Sequence, residues 1–269
     1  MIIDLKEKSG LGLRFDTDKT EMSFDKDLQS RIPAIRTIEQ MQEVLLDKNV
    51  KQPKELYYMY RDIHRVTDKS TLEAHKLRFD VTVIKPSYLG KEFMKTAGHY
   101  HPDSFPELYE VVSGRCFCLM QRPNTGDHRI IEEVILVEAV AGQKIVIPPG
   151  FGHILINPGP DYLITSNWVS SCFASRYELY QESEGAVYFI TTTDDKTQVS
   201  PNLKIRLAVR KNPYFSQVTN ISFALPAKEI RRFALFQNSP MYNIINQHPQ
   251  ALNFLNHPLD YDYGDVFVK

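Results

Sequence analysis

His99 and His101 stand one residue apart in "GHYHPDSFPELYEVVSG" (98–114), and Glu107 follows at the head of a strand-like run that ends at Gly114. Side chains at i and i+2 of an extended chain share a face about 6–7 Å apart, so the two imidazoles can converge on one ion while Tyr100 faces away. Glu107 shares parity with Tyr109 and Val111, the face expected to line a barrel interior. Two imidazoles and a carboxylate suit a borderline divalent metal such as Fe, Mn, Ni or Zn and leave coordination positions open for a substrate. A fourth ligand is available at His153 in "GQKIVIPPGFGHILIN" (142–157), where Pro148 and Gly150 make the tight turn that delivers the histidine to the next strand. The remaining histidines, His64, His75, His128, His248 and His257, lack such company and are read as ordinary surface or core residues.

The elements that must position these groups are legible in the pattern around them. Short β-branched and aromatic runs recur in "RFDVTVIKP", "ELYEVVSGRCFCLMQR", "EEVILVEAVAGQKIVIPPG", "HILINPGPDYLITSNWV" and "AVYFITTT", punctuated by Pro and Gly. Many strands at short intervals, with no long helices between them, point to a mainly β protein, an antiparallel barrel or a double-sheet jelly roll. Residues 1–50 read as an N-terminal arm with one helix in "TIEQMQEVLLDKN", where Ile38, Met41, Val44 and Leu45 fall at helical spacing behind Thr37 as cap. Residues 51–192 read as the barrel. The polar stretch "TTTDDKTQVSPN" marks a boundary, and 193–269 read as a C-terminal α+β extension with short helices in "SPMYNIINQ" and "PQALNFLNH".

Composition narrows the classes. With 269 residues and 42% hydrophobic content the chain can bury a sizeable core, and its formal charge of −1 gives no global field for nucleic acid or an anionic membrane. No apolar run reaches the ~18 residues of a membrane span and the start is charged, so a cytoplasmic protein is expected. Three cysteines without C-x-x-C spacing argue against a disulfide framework or a thiolate zinc site, leaving Cys116 and Cys118 as small buried side chains on one strand face.

The residues around the histidines resemble a known family. "GQKIVIPPGFGHILIN" fits the second cupin motif, G-x5-P-x-G-x2-H-x3-N, at every fixed position, and His99, His101, Glu107 and Gly114 fit the first, with Phe93 at its leading glycine and five residues between His101 and Glu107. "GKEFMKTAGHYHPDSFPELYEVVSG" is similar to cupin-type glucose-6-phosphate isomerases of archaea and some bacteria, and the likeness runs over about residues 10–190. It implies a cupin double-stranded β-helix and one divalent ion, iron foremost with Mn, Ni or Zn as substitutes, held by His99, His101, Glu107 and His153. It places phosphate and sugar contacts on Thr82, Thr96 and Gly98, with Tyr57, Tyr109 and Tyr177 lining the cavity. The histidine that the family carries just before its later tyrosine is missing from "FASRYELYQESEG". A homodimer acting on a sugar phosphate, in glycolysis and gluconeogenesis, is the implied setting.

Aldose–ketose isomerisation moves a hydrogen between neighbouring carbons beside a carbonyl. A dication can polarise that carbonyl and stabilise a cis-enediolate, with Glu107 as the candidate catalytic base; a direct hydride shift would need no base. Two rivals use the same residues: a cupin dioxygenase, and a sugar-phosphate-binding module without turnover. No Gly-rich phosphate loop and no clustered arginines are visible, so the neutral donors Thr82, Thr96 and Gly98 are expected to hold the phosphate.

Overall fold

The computed structural model describes residues 1–102, 105–192, 198–199, 206–226 and 239–268; most of the boundary stretch "TTTDDKTQVSPN" lies outside them. The arm opens with a small antiparallel sheet of β1 (Ile2–Asp4), β2 (Leu13–Asp16) and β3 (Glu21–Phe24), with a one-turn helix α1 (Lys6–Ser9) between the first two. Strand β4 (Ala34–Thr37) then pairs with β5 (Glu55–Tyr60). Between them the helix expected over "TIEQMQEVLLDKN" is replaced by a single 3-10 turn, Gln42–Val44. The four apolar side chains are buried all the same. What breaks the helix is competition for its backbone: the buried Lys95 ammonium bonds the Val44 carbonyl, and the Leu46 N–H donates to buried Glu92. An α-helix would need that N–H for the carbonyl four residues back.

Helix α2 (Lys69–His75) leads into β6 (Leu77–Ile84), β7 (Tyr88–Leu89), β8 (Glu92–Lys95), β9 (Glu107–Ser113), β10 (Arg115–Pro123), β11 (Ile130–Val140), β12 (Lys144–Ile147), β13 (Gly152–Asn157) and β14 (Leu163–Ser170). After α3 (Glu178–Glu182) come β15 (Tyr188–Thr191), β16 (Gln198–Val199), β17 (Arg206–Lys211), β18 (Gln217–Val218) and β19 (Ser222–Pro226), then α4 (Ile244–Gln247) and β20 (Phe267–Val268). One large sheet contains β15, β8, β13, β10 and β11 in that order, and a second runs β12-β9-β14-β6-β5-β4. From β8 to β15 the chain passes back and forth between the two sheets, except at the β10–β11 hairpin, which stays in the first, and this is a jelly-roll path.

The second sheet is covered on both faces, which is why β14 is buried at all eight positions and shows no inside–outside alternation of burial. Its inner face closes the barrel core with Tyr57, Ile84, Tyr109, Val111 and Ile145. Its outer face carries Tyr60, Phe79, Leu108 and Trp168 into a second core, completed by Leu13 and Phe15 of the arm and by Met241, Tyr242 and Phe254 of the extension. Trp168 lies 5.7 Å from Tyr242 in a stacked pair and 4.8 Å edge-on to Phe79. Short helical pieces occur where the extension was expected to have them, as a 3-10 turn at Met241–Asn243, α4, and a 3-10 stretch at Pro249–Leu255.

Register sets the rows of the inner face. Val169 is opposite Arg78 and Glu107, Asn167 is opposite Asp80 and Tyr109, and Thr165 is opposite Thr82 and Val111. These rows bring the site together.

Candidate metal centre

His99 and His153 reach each other through their own backbones. The His99 N–H donates to the His153 carbonyl at 3.3 Å and the His153 N–H returns a bond at 3.1 Å, an isolated antiparallel bridge that fixes the rings 4.4 Å apart. Gly98 precedes it with φ +82, and a Cβ there would lie 2.5 Å from Ile154 Cγ2, so only glycine lets the strand pass. Tyr100 faces away, as its place in the alternation requires, and its hydroxyl accepts from Gln121. Behind His101 the rings of Phe173 and Phe105 stack.

The ligand-type atoms of His99, His101, Glu107 and His153 all lie within 4.8 Å of one another. His99 Nε2 is 3.1 Å from His101 Nε2, and Glu107 Oε2 is 3.3 Å from His101 Nε2 and 3.2 Å from His153 Nε2. His101 Nδ1 is 2.9 Å from the Phe105 carbonyl, which can only accept, so in the neutral ring Nδ1 carries the proton and Nε2 presents a lone pair to the cluster. Glu107 Oε1 accepts from Asn167 Nδ2 at 2.6 Å, whereas Oε2 is buried without a hydrogen-bond partner. A buried, unsatisfied carboxylate oxygen facing imidazole nitrogens is costly on its own and is what a cation would satisfy.

The electrostatics agree. Burial, then the neighbouring His153 and His101, holds His99 well below its ordinary value, and burial also lowers His153. Burial pushes Glu107 up, but His101 and His153 beside it outweigh this and hold the carboxyl well below the usual range. The donor set thus offers neutral imidazole at His99 and His153 beside one carboxylate, suited to a divalent ion of borderline softness. Tyr109, its hydroxyl 3.3 Å from His153 Nε2, is raised well above its ordinary value by burial and by Glu107, and stays a neutral phenol.

The cluster opens on a cavity that Tyr57, Thr82, Thr96, Gly98, Tyr109 and Tyr177 all line, so the residues singled out for substrate share one space. Some are already engaged: the Tyr57 hydroxyl accepts from the Ala97 N–H and Arg36 Nε, and the Thr96 hydroxyl accepts from the Leu155 N–H. Arg61, Arg78, Asp80, Asn167 and Ser175 line it too and were not singled out. The expectation that arginines do not cluster is corrected here: Arg61 and Arg78, far apart in sequence, meet at Asp80. Arg78, Asp80 and Thr82 alternate along one strand, and that parity was the available signal.

The family model for glucose-6-phosphate isomerase (GPI) matches residues 35–204. The chain belongs to the glucose-6-phosphate isomerase family. Within the family it is 36% identical over 84 residues to glucose-6-phosphate isomerase of Thermococcus litoralis, covering 31% of this chain and 40% of that protein. To the Pyrococcus abyssi enzyme of the same name it is 33% identical over 89 residues, covering 33% of this chain and 43% of that protein. The aligned stretch thus spans about two fifths of these relatives. Among solved structures, oxalate decarboxylase from Bacillus subtilis superposes with a TM-score of 0.33 at 16% identity, over 45% of this chain and 27% of the other.

Proposed function

We propose that this chain is a metal-dependent glucose-6-phosphate isomerase, interconverting glucose 6-phosphate and fructose 6-phosphate. The observation that carries the reading is the convergence of His99, His101, Glu107 and His153, with a buried Glu107 oxygen left without a hydrogen bond, at the wall of a cavity lined by hydroxyl donors. A divalent ion, iron by preference, held by those four residues would polarise the substrate carbonyl as a Lewis acid.

The other roles belong to the chain's own side chains. Glu107 is the candidate base that takes a proton from the carbon beside the carbonyl and returns it to the neighbouring carbon on the same face. Asn167, bonded to Oε1, leaves Oε2 as the one oxygen that would move from the ion to the substrate proton while the three histidines would keep the ion. Tyr109 stays protonated and can donate to a sugar oxygen as charge develops there. Tyr57, Thr82, Thr96, Gly98 and Tyr177 would surround the sugar phosphate. A homodimer and a cytoplasmic place in central sugar metabolism complete the reading; among the described residues no helix is long and apolar enough to cross a membrane.

The test is a coupled assay on fructose 6-phosphate after exhaustive chelation, followed by Fe, Mn, Ni or Zn. Activity should vanish with the metal and return with one or more of these ions. Turnover unchanged in metal-free protein would overturn the proposal.

A further inference from the structure

Beside the histidine cluster the cavity wall carries a polar group that the proposed chemistry does not use. Arg78 Nε lies 3.0 Å from both carboxylate oxygens of Asp80, and Asp80 also accepts the Asp62 N–H at 2.8 Å. The Asp80 side chain keeps 8% of its surface and Arg78 keeps 26%, so the carboxylate is filled from the protein side while the guanidinium reaches the cavity. The two terminal nitrogens of Arg78 make no hydrogen bond within the described residues. Arg61 and Arg78 share this cavity with two carboxylates, Asp80 and Glu107, so the wall has no excess of positive charge to draw a dianion. It suits an uncharged hydroxyl, and the phosphate of the proposed substrate stays with Thr82, Thr96 and Gly98.

Register places this donor along the substrate's path. Arg78 and Glu107 both stand opposite Val169, and Asp80 and Tyr109 both stand opposite Asn167. Thr82 follows two residues after Asp80 on the same face of the strand, about 6–7 Å further along. The bonds from Nε to Asp80 draw the Arg78 head along the strand, off the row of Glu107 and toward the row of Thr82. A hexose 6-phosphate with C1 and C2 at the histidine cluster and its phosphorus at the threonines has C4 midway, beside that head. The neighbours on these rows are less able to donate there. Val169 has no polar side-chain atom, and Asn167 Nδ2 is held by Glu107 Oε1. A guanidinium fixed by a carboxylate is a pre-organised fork whose bonds are stronger than those of a neutral donor.

We propose that Arg78, aimed by Asp80, donates to the C4 hydroxyl of the sugar phosphate and makes the site selective for the configuration at that carbon. This rests on the sugar-phosphate reading of the cavity. The test compares C4 epimers on the full, metal-loaded chain. Turnover is measured on fructose 6-phosphate and tagatose 6-phosphate, and binding of the inert pair sorbitol 6-phosphate and galactitol 6-phosphate by titration calorimetry. The wild type should favour the first of each pair by about ten- to a hundredfold, the penalty for losing a bond to a charged donor. R78Q should cut both ratios by about tenfold or more by weakening the favoured member alone. Its loss in turnover should fall on KM rather than kcat, and its binding of inorganic phosphate should be unchanged. D80N loosens Arg78 with little change of shape, and should shift the same ratios part-way if R78Q fails to fold.

A wild type without a C4 preference, or a variant that weakens both epimers equally, would overturn the proposal. So would a preference untouched by R78Q or, should that variant not fold, by D80N, and so would loss of inorganic phosphate binding in R78Q. A calorimetric preference that depends on Arg78 in a protein with no isomerase turnover would leave this hydroxyl subsite standing and sink the isomerase reading instead.

Discussion

Asn167 governs what Glu107 can do, although it is neither a ligand type nor part of a motif. Its amide holds one carboxylate oxygen at 2.6 Å and leaves the other to the imidazoles. Asn167→Ala should therefore cost about 10–100-fold in metal affinity or turnover, read as metal content beside kcat, the usual penalty for losing a group that orients a ligand. Gly98→Ala should be worse for the fold than its size suggests. The added methyl meets Ile154 and Tyr180 below 3 Å at φ +82, a cost of at least about 1–3 kcal/mol in urea unfolding, with His99 displaced and metal content falling alongside. At this scale the four ligand candidates were legible because histidine and glutamate at strand spacing are unusual. Arg78, Asp80 and Asn167 were not, because alternation gives the face of a strand residue but not which distant charge it meets across the sheet.

The extension is tied to the barrel by polar handles set in an apolar face. The Met241 N–H donates to Glu110 Oε2 at 3.0 Å, the Trp168 indole donates to the Met241 carbonyl at 2.9 Å, and Asp68 accepts from the Tyr242 hydroxyl and Asn246. Burial pushes the Asp68 carboxyl up, but the bonds from Asn246, Tyr242 and Thr67 outweigh it and bring it below its ordinary 3.8. A carboxyl depressed on folding adds stability that is fully present above the unfolded value and is lost as pH falls through the folded one. Thermal midpoints should therefore drop as pH is lowered below about 4, and Asp68→Asn should lower the midpoint at neutral pH while flattening that acid limb. The extension's short helical pieces were legible from clustered apolar residues after Pro240 and His248. The arm's missing helix was not, because its competitors, Lys95 and Glu92, lie some fifty residues further on.

Taken whole, the molecule has two cores that share one sheet. Strand β14 alternates Asn167 and Val169 toward the cavity with Trp168 toward the arm and extension, so the arm, barrel and extension meet through single residues. We propose that the three segments unfold as one body. Scanning calorimetry of the full chain should give one transition whose calorimetric and van't Hoff enthalpies agree, and two resolved transitions would show the extension to be separable. The jelly-roll class was legible because its many short strands carry β-branched runs and Pro/Gly turns. The double-sided burial of the second sheet was hidden, since the polar residues of β6 and β14 alternate as on a solvated face but line a cavity instead.

Trp168 is the single tryptophan of the chain, and it lies where the extension closes over the sheet. Its emission is consequently an optical gauge of that seam alone, with no other indole to blur it. A red shift arriving ahead of the loss of far-ultraviolet dichroism would show the C-terminal cover peeling away while the barrel still stands.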